Sequence, residues 1–399
     1  TKIPDQWDLQ SCIDYAKEQN ITIRKNRITA ASTQIDVKTA KAALFPSLSF
    51  STSQQVVNRP YQETSSRVSG SEIISSNSKT SYNGNYGLNA SWTLYNGNKR
   101  LKTIQQEKLN NQVAELDVAT SENNIQESIA QVYIQILYAA ESVKVNESTL
   151  QVSIAQRDRG QELLNAGSIA KSDFAQLEAQ VSTDRYQLVT AQATLEDYKL
   201  QLKQLLELDG ENEMNIYLPA LSDENVLAPL PTKKDVYISA LSLRPEIEAS
   251  KLNVEASELG IGIAKSSYLP TISLSAGIGT NHTSGSDFTF GEQVKNGWNN
   301  SIGLSVSVPI FNNRQTKSAV QKAKLQYETS MLSLLDEQKT LYKTIEGLWL
   351  DANSAQQRYA AANEKLKSTQ ISYELISEQF NLGMKNTVEL LTEKNNLLQ

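Results

Sequence analysis

The sequence predicts a mainly α protein with membrane β, built from a duplicated helix–strand–strand–helix repeat. Three observations lead there: the placement of proline and glycine, the alternation of apolar with small polar residues in four short segments, and the match of the chain to itself. The chain has 399 residues, 39% of them hydrophobic, and a formal net charge of −6. No proline occurs between Tyr61 and Leu218, or from Ile310 to Gln399. Between Asn98 and Asp209 the only glycines are Gly160 and Gly167, and after Asn312 they are Gly347 and Gly383. Inside a helix proline costs ~3 kcal/mol and glycine ~1 kcal/mol relative to alanine. Long stretches that avoid both, rich in Gln, Glu, Lys, Ala and Leu, read as long helices.

Taken in order, the first copy covers 1–208. A short helix at about 8–19 carries Cys12 on its apolar side as a packed thiol, and a second helix covers about 21–44. Pro46 then opens a strand hairpin over about 46–95, with strands near 46–56 and 83–95. A long helix over about 97–166 would extend ~105 Å at ~1.5 Å per residue. Its apolar residues Ile125, Ile129, Val132, Ile136, Ala139 and Val143 recur in heptad fashion and imply coiled-coil packing. The chain reverses at Gly167, and a return helix covers about 170–207. The two shorter helices together nearly match the long one, so they can lie end to end along it. Residues 209–232, with three prolines, form a linker.

The second copy, 233–399, repeats the order. A short helix at 233–242 precedes a strand hairpin over about 270–310, with strands near 270–280 and 300–310. A long helix over about 312–382 follows, then a turn at Gly383 and a truncated return helix. AKAALFPSLSF (40–50) matches AKSSYLPTISL (264–274), which aligns Pro46 with Pro270. YGLNASWTLYNGN (86–98) matches IGLSVSVPIFNNR (302–314), and LLNAGSIAKSDF (163–174) matches QFNLGMKNTVEL (379–390). The first match has an offset of 224 and the other two have 216, so the second copy has the shorter strand connection. Equal copies would carry the last helix about 25 residues beyond Gln399.

In the strands, Leu88, Ala90, Trp92 and Leu94 alternate with Gly87, Asn89, Ser91 and Thr93; Ile272, Leu274, Ala276 and Ile278 alternate with serines and glycines, as do Ile302, Leu304, Val306 and Val308. Such alternation fits an ordinary half-buried sheet. The polar face, however, holds Ser, Gly, Asn and Thr with no Lys or Glu, and aromatic residues gather at the strand ends. Phe45, Tyr95, Tyr268 and Phe311 mark the helical side; Tyr82, Tyr86 and Trp298 mark the other. Strands of about 9–11 residues with aromatic girdles suit a membrane barrel. Lipid-facing or interfacial positions are then Leu88, Trp92, Leu94, Tyr95, Tyr268, Ile272, Leu274, Trp298, Leu304, Val306 and Phe311. A bilayer demands closure, and four strands per chain are too few. A dimer would give an eight-stranded barrel filled by side chains; a trimer gives a 12-stranded barrel with a lumen. The small polar inward face favours the trimer, and the long helices, too polar and too long to cover the sheet, can only continue away from it. Residues about 57–81 and 281–298 would be the outer loops, the most mobile part of the barrel.

Other classes are excluded or disfavoured. No apolar run reaches the ~18 residues of a membrane helix. The charge offers no basic excess for nucleic acid. One cysteine and one histidine give no disulfide framework and no metal cluster, and nothing calls for a cofactor. His282, in NHTSGS, reads as a surface loop residue, so no catalytic residue is expected and the chain is not an enzyme. A signal peptide is either absent or removed.

The duplicated helix-to-strand junctions at Pro46 and Pro270, the stretch LRPEIEASKLNVEASELGI (243–261) and the turns around Gly167 and Gly383 resemble the TolC family of outer-membrane efflux channels over essentially the whole chain. The resemblance implies a homotrimer in outer-membrane lipid of a Gram-negative-type envelope. It also implies a periplasmic tunnel whose far end meets a periplasmic adaptor (membrane fusion) protein and an inner-membrane pump of RND or ABC type. It places a periplasmic gate at the turns, with Asp173, Phe380, Lys385 and Glu389 at matching positions. Phe380 lacks the hydroxyl a gating aromatic can use, and Thr392 is neutral where a second acid can occur. The alternatives are a periplasmic adaptor, expected to carry one helical hairpin between non-membrane β modules, and a coiled-coil scaffold of the envelope, which leaves the strands unexplained.

Overall fold

The computed structural model describes residues 4–399 except 64, 70, 77, 212, 221, 223 and 224. The described elements are α1 (Leu9–Gln19), α2 (Ile21–Ala42), β1 (Ser47–Asn58), β2 (Ser65–Ser69), β3 (Glu72–Ser76), β4 (Thr80–Asn96), α3 (Lys99–Asn165) and α4 (Lys171–Leu205). There follow α5 (Lys233–Leu243), α6 (Pro245–Lys265), β5 (Thr271–Thr283), α7 (Phe290–Asn296), β6 (Asn299–Ser307), α8 (Gln315–Asn381) and α9 (Thr387–Leu398). Helices α1, α2 and strand β1 start 224 positions before α5, α6 and β5. Helices α3 and α4 start 216 positions before α8 and α9.

The strand-to-helix junctions repeat down to the backbone. Gly97 and Asn98 both have positive φ, and so do Asn313 and Arg314, their counterparts at the 216 offset. Asn-type residues tolerate the left-handed region better than most. This two-residue reversal is why α3 and α8 each begin two or three residues later than expected from composition.

Two compact units cut across the repeats. One comprises Thr1–Ile28, Leu116–Ile247 and Glu337–Gln399; the other comprises Thr29–Glu115 and Glu248–Asp336. Helices α3 and α8 contribute to both.

In the second unit, β1, β4, β5 and β6 form an antiparallel sheet in the order β1-β4-β5-β6. The register puts Phe50 beside Leu88 and Leu88 beside Ile278, with Trp92 beside Leu274 and Leu274 beside Leu304. Ser51, Gly87 and Gly279 align in the alternate rows, as do Ser273 and Ser305. One face is therefore a ladder of large apolar side chains and the other a ladder of Ser, Gly and Asn. The apolar face is open: Leu48, Phe50, Ile302, Leu304 and Val306 are each more than half exposed. A bulge between Thr93 and Tyr95 interrupts the β4–β5 register near the helical end.

The expected outer loops contain structure of their own. The first holds the hairpin of β2 and β3. The second holds α7, a helix signalled by the capping box of Thr289 and Glu292. His282 is on strand β5 rather than in a loop. It is half-buried, lying among Tyr82, Tyr86 and the α7 residue Phe290 at ring-centroid distances of 5.2, 5.8 and 5.0 Å. Alternation past Thr280 is broken by polar residues, which hid the last turn of the strand from pattern reading.

In the first unit, the heptad residues Ile129 and Ile136 of α3 are fully buried with Trp7, Cys12 and Ala16 from the N-terminal segment and Leu202 and Leu206 at the end of α4. The Tyr133 hydroxyl donates to the Tyr217 carbonyl, and Trp7 brackets residues 215–217 by backbone hydrogen bonds, which fastens part of the linker to this core. Cys12 is packed as its helix position suggests. Burial, with the Asp8 charge second, pushes its thiol up to about 12. The pKa is raised on folding, so the associated stability is complete below the unfolded value near 9 and is lost as pH climbs towards 12. A thiol-specific reagent at pH 8 should leave Cys12 unlabelled in the native protein and label it fully in denaturant; rapid native labelling would contradict this packing.

Candidate functional site: the tips of the two helical hairpins

Helices α3 and α4 form one hairpin and α8 and α9 the other. Each reverses through the same device. Ser168 N–H bonds the Leu163 carbonyl at 2.8 Å and Gly167 N–H the Leu164 carbonyl at 3.0 Å. Met384 N–H bonds the Gln379 carbonyl at 2.8 Å and Gly383 N–H the Phe380 carbonyl at 2.9 Å. This double bond pattern closes a helix C-terminus around a left-handed residue. Gly167 has φ +72° and Gly383 φ +77°, so glycine is favoured at both.

The return helices then start on capped N-termini. In α9 the Asn386 side chain accepts from Glu389 N–H at 2.9 Å, and the Glu389 carboxylate accepts from Asn386 N–H at 3.2 Å. Lys385 Nζ lies 2.7 Å from the same carboxylate. The Lys385 hydrogen bond, with the Asn386 backbone second, holds the Glu389 carboxyl below its usual range. In α4 the Asp173 carboxylate accepts from Ala170 N–H at 3.4 Å. Asp173, Lys385 and Glu389 are thus each engaged within their own turn.

Phe380 is buried with Leu177 and Leu390, so it packs α8, α4 and α9 together. Tyr373, a few residues before it on α8, receives a hydrogen bond from Gln156 of α3 at 2.9 Å. Together the four gate-matched residues, the two turns and Thr387 line a groove of about 330 Å³.

A second cluster, set back from the turns, is not legible in the sequence. Lys394 of α9 lies 2.6 Å from the Asp184 carboxylate of α4, and both side chains are nearly fully buried. Ser153 of α3 donates to the same carboxylate oxygen and accepts from Lys394, while Gln180 donates to the other oxygen at 2.9 Å. Each residue alone reads as an ordinary helix-surface position. Only the meeting of three helices makes them interior.

The remaining singled-out residues belong to the strand unit. Pro46 and Pro270 immediately precede β1 and β5. Leu88, Trp92, Leu94, Tyr268, Trp298, Leu304, Val306 and Phe311 are exposed, and Tyr95, Ile272 and Leu274 half-buried. Trp92 Nε1 donates to the Leu44 carbonyl at 2.8 Å, and Arg100 donates to the carbonyls of Ala43 and Leu94 at 3.1 Å. These bonds fix the corner where α2 passes into the sheet. Among the described residues, no helix is long and apolar enough to cross a membrane, and no acidic, His or Cys group could hold a metal ion.

Residues 12–207 and 236–399 match the family model of outer membrane efflux proteins. The chain belongs to the outer membrane efflux protein family. Among curated members, the outer membrane efflux protein BepC of Brucella suis is 24% identical over 69% of this chain and 58% of its own length. The outer membrane protein TolC of Escherichia coli K12 is 23% identical over 70% of this chain and 57% of its own. The matched part therefore spans less than two thirds of these relatives. The fold is that of the family's solved structures. A CusC structure superposes with TM-score 0.81 at 19% identity, covering 98% of this chain and 86% of that one. The outer membrane protein VceC of Vibrio cholerae gives TM-score 0.79 at 17% identity, covering 98% and 90%.

Apart from its chain neighbours, no atom lies within 4 Å of a Cβ added at Gly383, so what resists a substitution there is the left-handed backbone. Gly383→Val should destabilise the turn by about 1–2 kcal/mol and speed amide hydrogen exchange in residues 379–390, leaving β4 and β5 unchanged. Equal exchange in both proteins would show that the turn does not require the left-handed residue.

Proposed function

We propose that this chain forms the exit duct of a tripartite efflux or secretion system in a Gram-negative-type outer membrane, conducting substrates passively to the exterior. The observation that carries the proposal is the bare four-stranded sheet, apolar on one face and small-polar on the other, with β1 and β6 as open edges. Family membership supports the same reading and favours it over an adaptor or a soluble scaffold.

Three copies would supply twelve strands. Because each copy has an even number of alternating strands, β6 of one copy can pair antiparallel with β1 of the next and leave no edge. Leu48, Phe50, Leu88, Trp92, Leu304 and Val306 would then face lipid, with Ser49, Asn89, Ser275 and Ser305 lining the lumen. The exposed Phe45, Tyr268 and Phe311 would sit at the inner headgroup level. The long helices would form the walls of the periplasmic tunnel, and the turns at Gly167 and Gly383 its gate and its docking end for adaptor and pump. At the gate, Lys385 and Glu389 from three copies would set the local charge. An exposed pair contributes little, so closure would draw on several such links. No catalytic residue and no cofactor is required for passive conduction.

The experiment is reconstitution into planar bilayers from detergent. Uniform conductance steps from a species with the mass of a trimer are expected. A monodisperse monomer that produces no steps would refute the duct.

A further inference from the structure

Among the described residues, Lys394–Asp184 is the one ion pair that joins the two helical hairpins. The other pairs near the tips, Arg157–Asp158, Arg159–Glu162 and Lys385–Glu389, lie within single segments. The Lys394–Asp184 pair is also unlike them in burial: its side chains are 4% and 6% exposed, against 36% and 40% for Lys385 and Glu389. Its polar atoms are used up inside the cluster by Ser153 and Gln180. Buried charge is tolerated only when paired and hydrogen-bonded, and breaking such a pair is far more costly than breaking one in water. A shift of α9 along α4 by one helical turn, about 5.4 Å, would leave an ammonium and a carboxylate separately buried.

We propose that the Ser153–Asp184–Lys394 cluster is a register lock between the two hairpins, and that any separation of the tips hinges at its level. Lys394 lies about two turns into α9, and Asp184 nearly four turns into α4. On the turn side of the lock, the hairpins are joined by the small apolar group of Leu177, Phe380 and Leu390 and by hydrogen bonds such as Arg159 to the Asn381 carbonyl at 3.4 Å. Apolar contacts carry no directional preference and permit sliding or splaying; the buried pair permits neither. A buried polar contact that fixes register rather than adding stability is the best-attested use of such groups. The inference goes beyond the duct reading, since it concerns one chain and is tested without transport.

The test is pulsed electron–electron spin distance measurement in detergent, in a Cys12→Ala background. One label pair, Ser182→Cys with Asn395→Cys, reports the level of the lock. Another, Lys171→Cys with Val388→Cys, reports the tips. With the lock intact, the first distribution should be narrow and the second broader. Replacing both charges by apolar side chains, Asp184→Leu with Lys394→Met, should keep the helical circular dichroism. It should widen the lock-level distribution or add a second peak about one turn away. An unchanged lock-level distribution in that variant would assign register to Leu177, Phe380 and Leu390 instead. Equal widths at both levels in the unsubstituted protein would remove the hinge, and that comparison stands even if the double variant fails to fold.

Discussion

A strand edge presents a row of unpaired N–H and C=O groups, and in hydrocarbon nothing solvates them. The sheet of this chain has two such edges, β1 and β6, and a face of large apolar side chains that no layer covers among the described residues. Neither feature suits a soluble monomer, and each of them makes sense only together with the other. An uncovered apolar face calls for lipid, and lipid calls for a partner at every edge. The even number of strands per chain then makes closure by identical copies straightforward, because every junction around the ring is antiparallel. In this reading the duplication is what supplies the even number.

The helical hairpins answer a different constraint. Their surfaces are too polar for lipid and are held by a few localised contacts. The Trp7, Cys12, Ile129 and Ile136 core anchors the first hairpin near the end of its return helix. Towards the tips, the apolar packing consists of Leu177, Phe380 and Leu390, and the buried Lys394–Asp184 ion pair joins the hairpins alongside them. Anchored helices with a sparsely packed end are the arrangement in which local opening costs least.

Most of this architecture was legible in the sequence because it is written in long-range periodic features. Proline and glycine avoidance located α3 and α8 to within three residues, and the two self-match offsets located their counterparts. Alternation located all four strands of the sheet. What escaped was of two kinds. One is local turn chemistry: Thr289 with Glu292 spells a capping box and starts α7 inside a stretch that otherwise reads as loop. The other kind was tertiary. Asp173, Lys385 and Glu389 read in the sequence as charges at a gate, and the local partner that each has at its own helix start is visible only in the structure. Lys394, Asp184 and Ser153 sit on three different helices, and nothing local distinguishes a helix-surface lysine from one that three helices bury. His282 likewise reads as a loop residue because polar residues break the alternation past Thr280, and its aromatic neighbours on β4 and α7 become visible only in the fold.

The central claim is that β6 of one copy pairs with β1 of the next to close a ring. The most direct measurement is disulfide trapping in membranes. Ser49→Cys on β1 would be combined in turn with Ser301→Cys, Gly303→Cys, Ser305→Cys and Ser307→Cys on β6. The account predicts a covalent ladder ending at the trimer, strongest at one position and falling away on either side, as a fixed antiparallel register requires. Cross-linked dimers with no trimer, or no cross-link at any position, would show that these edges do not meet and would contradict it.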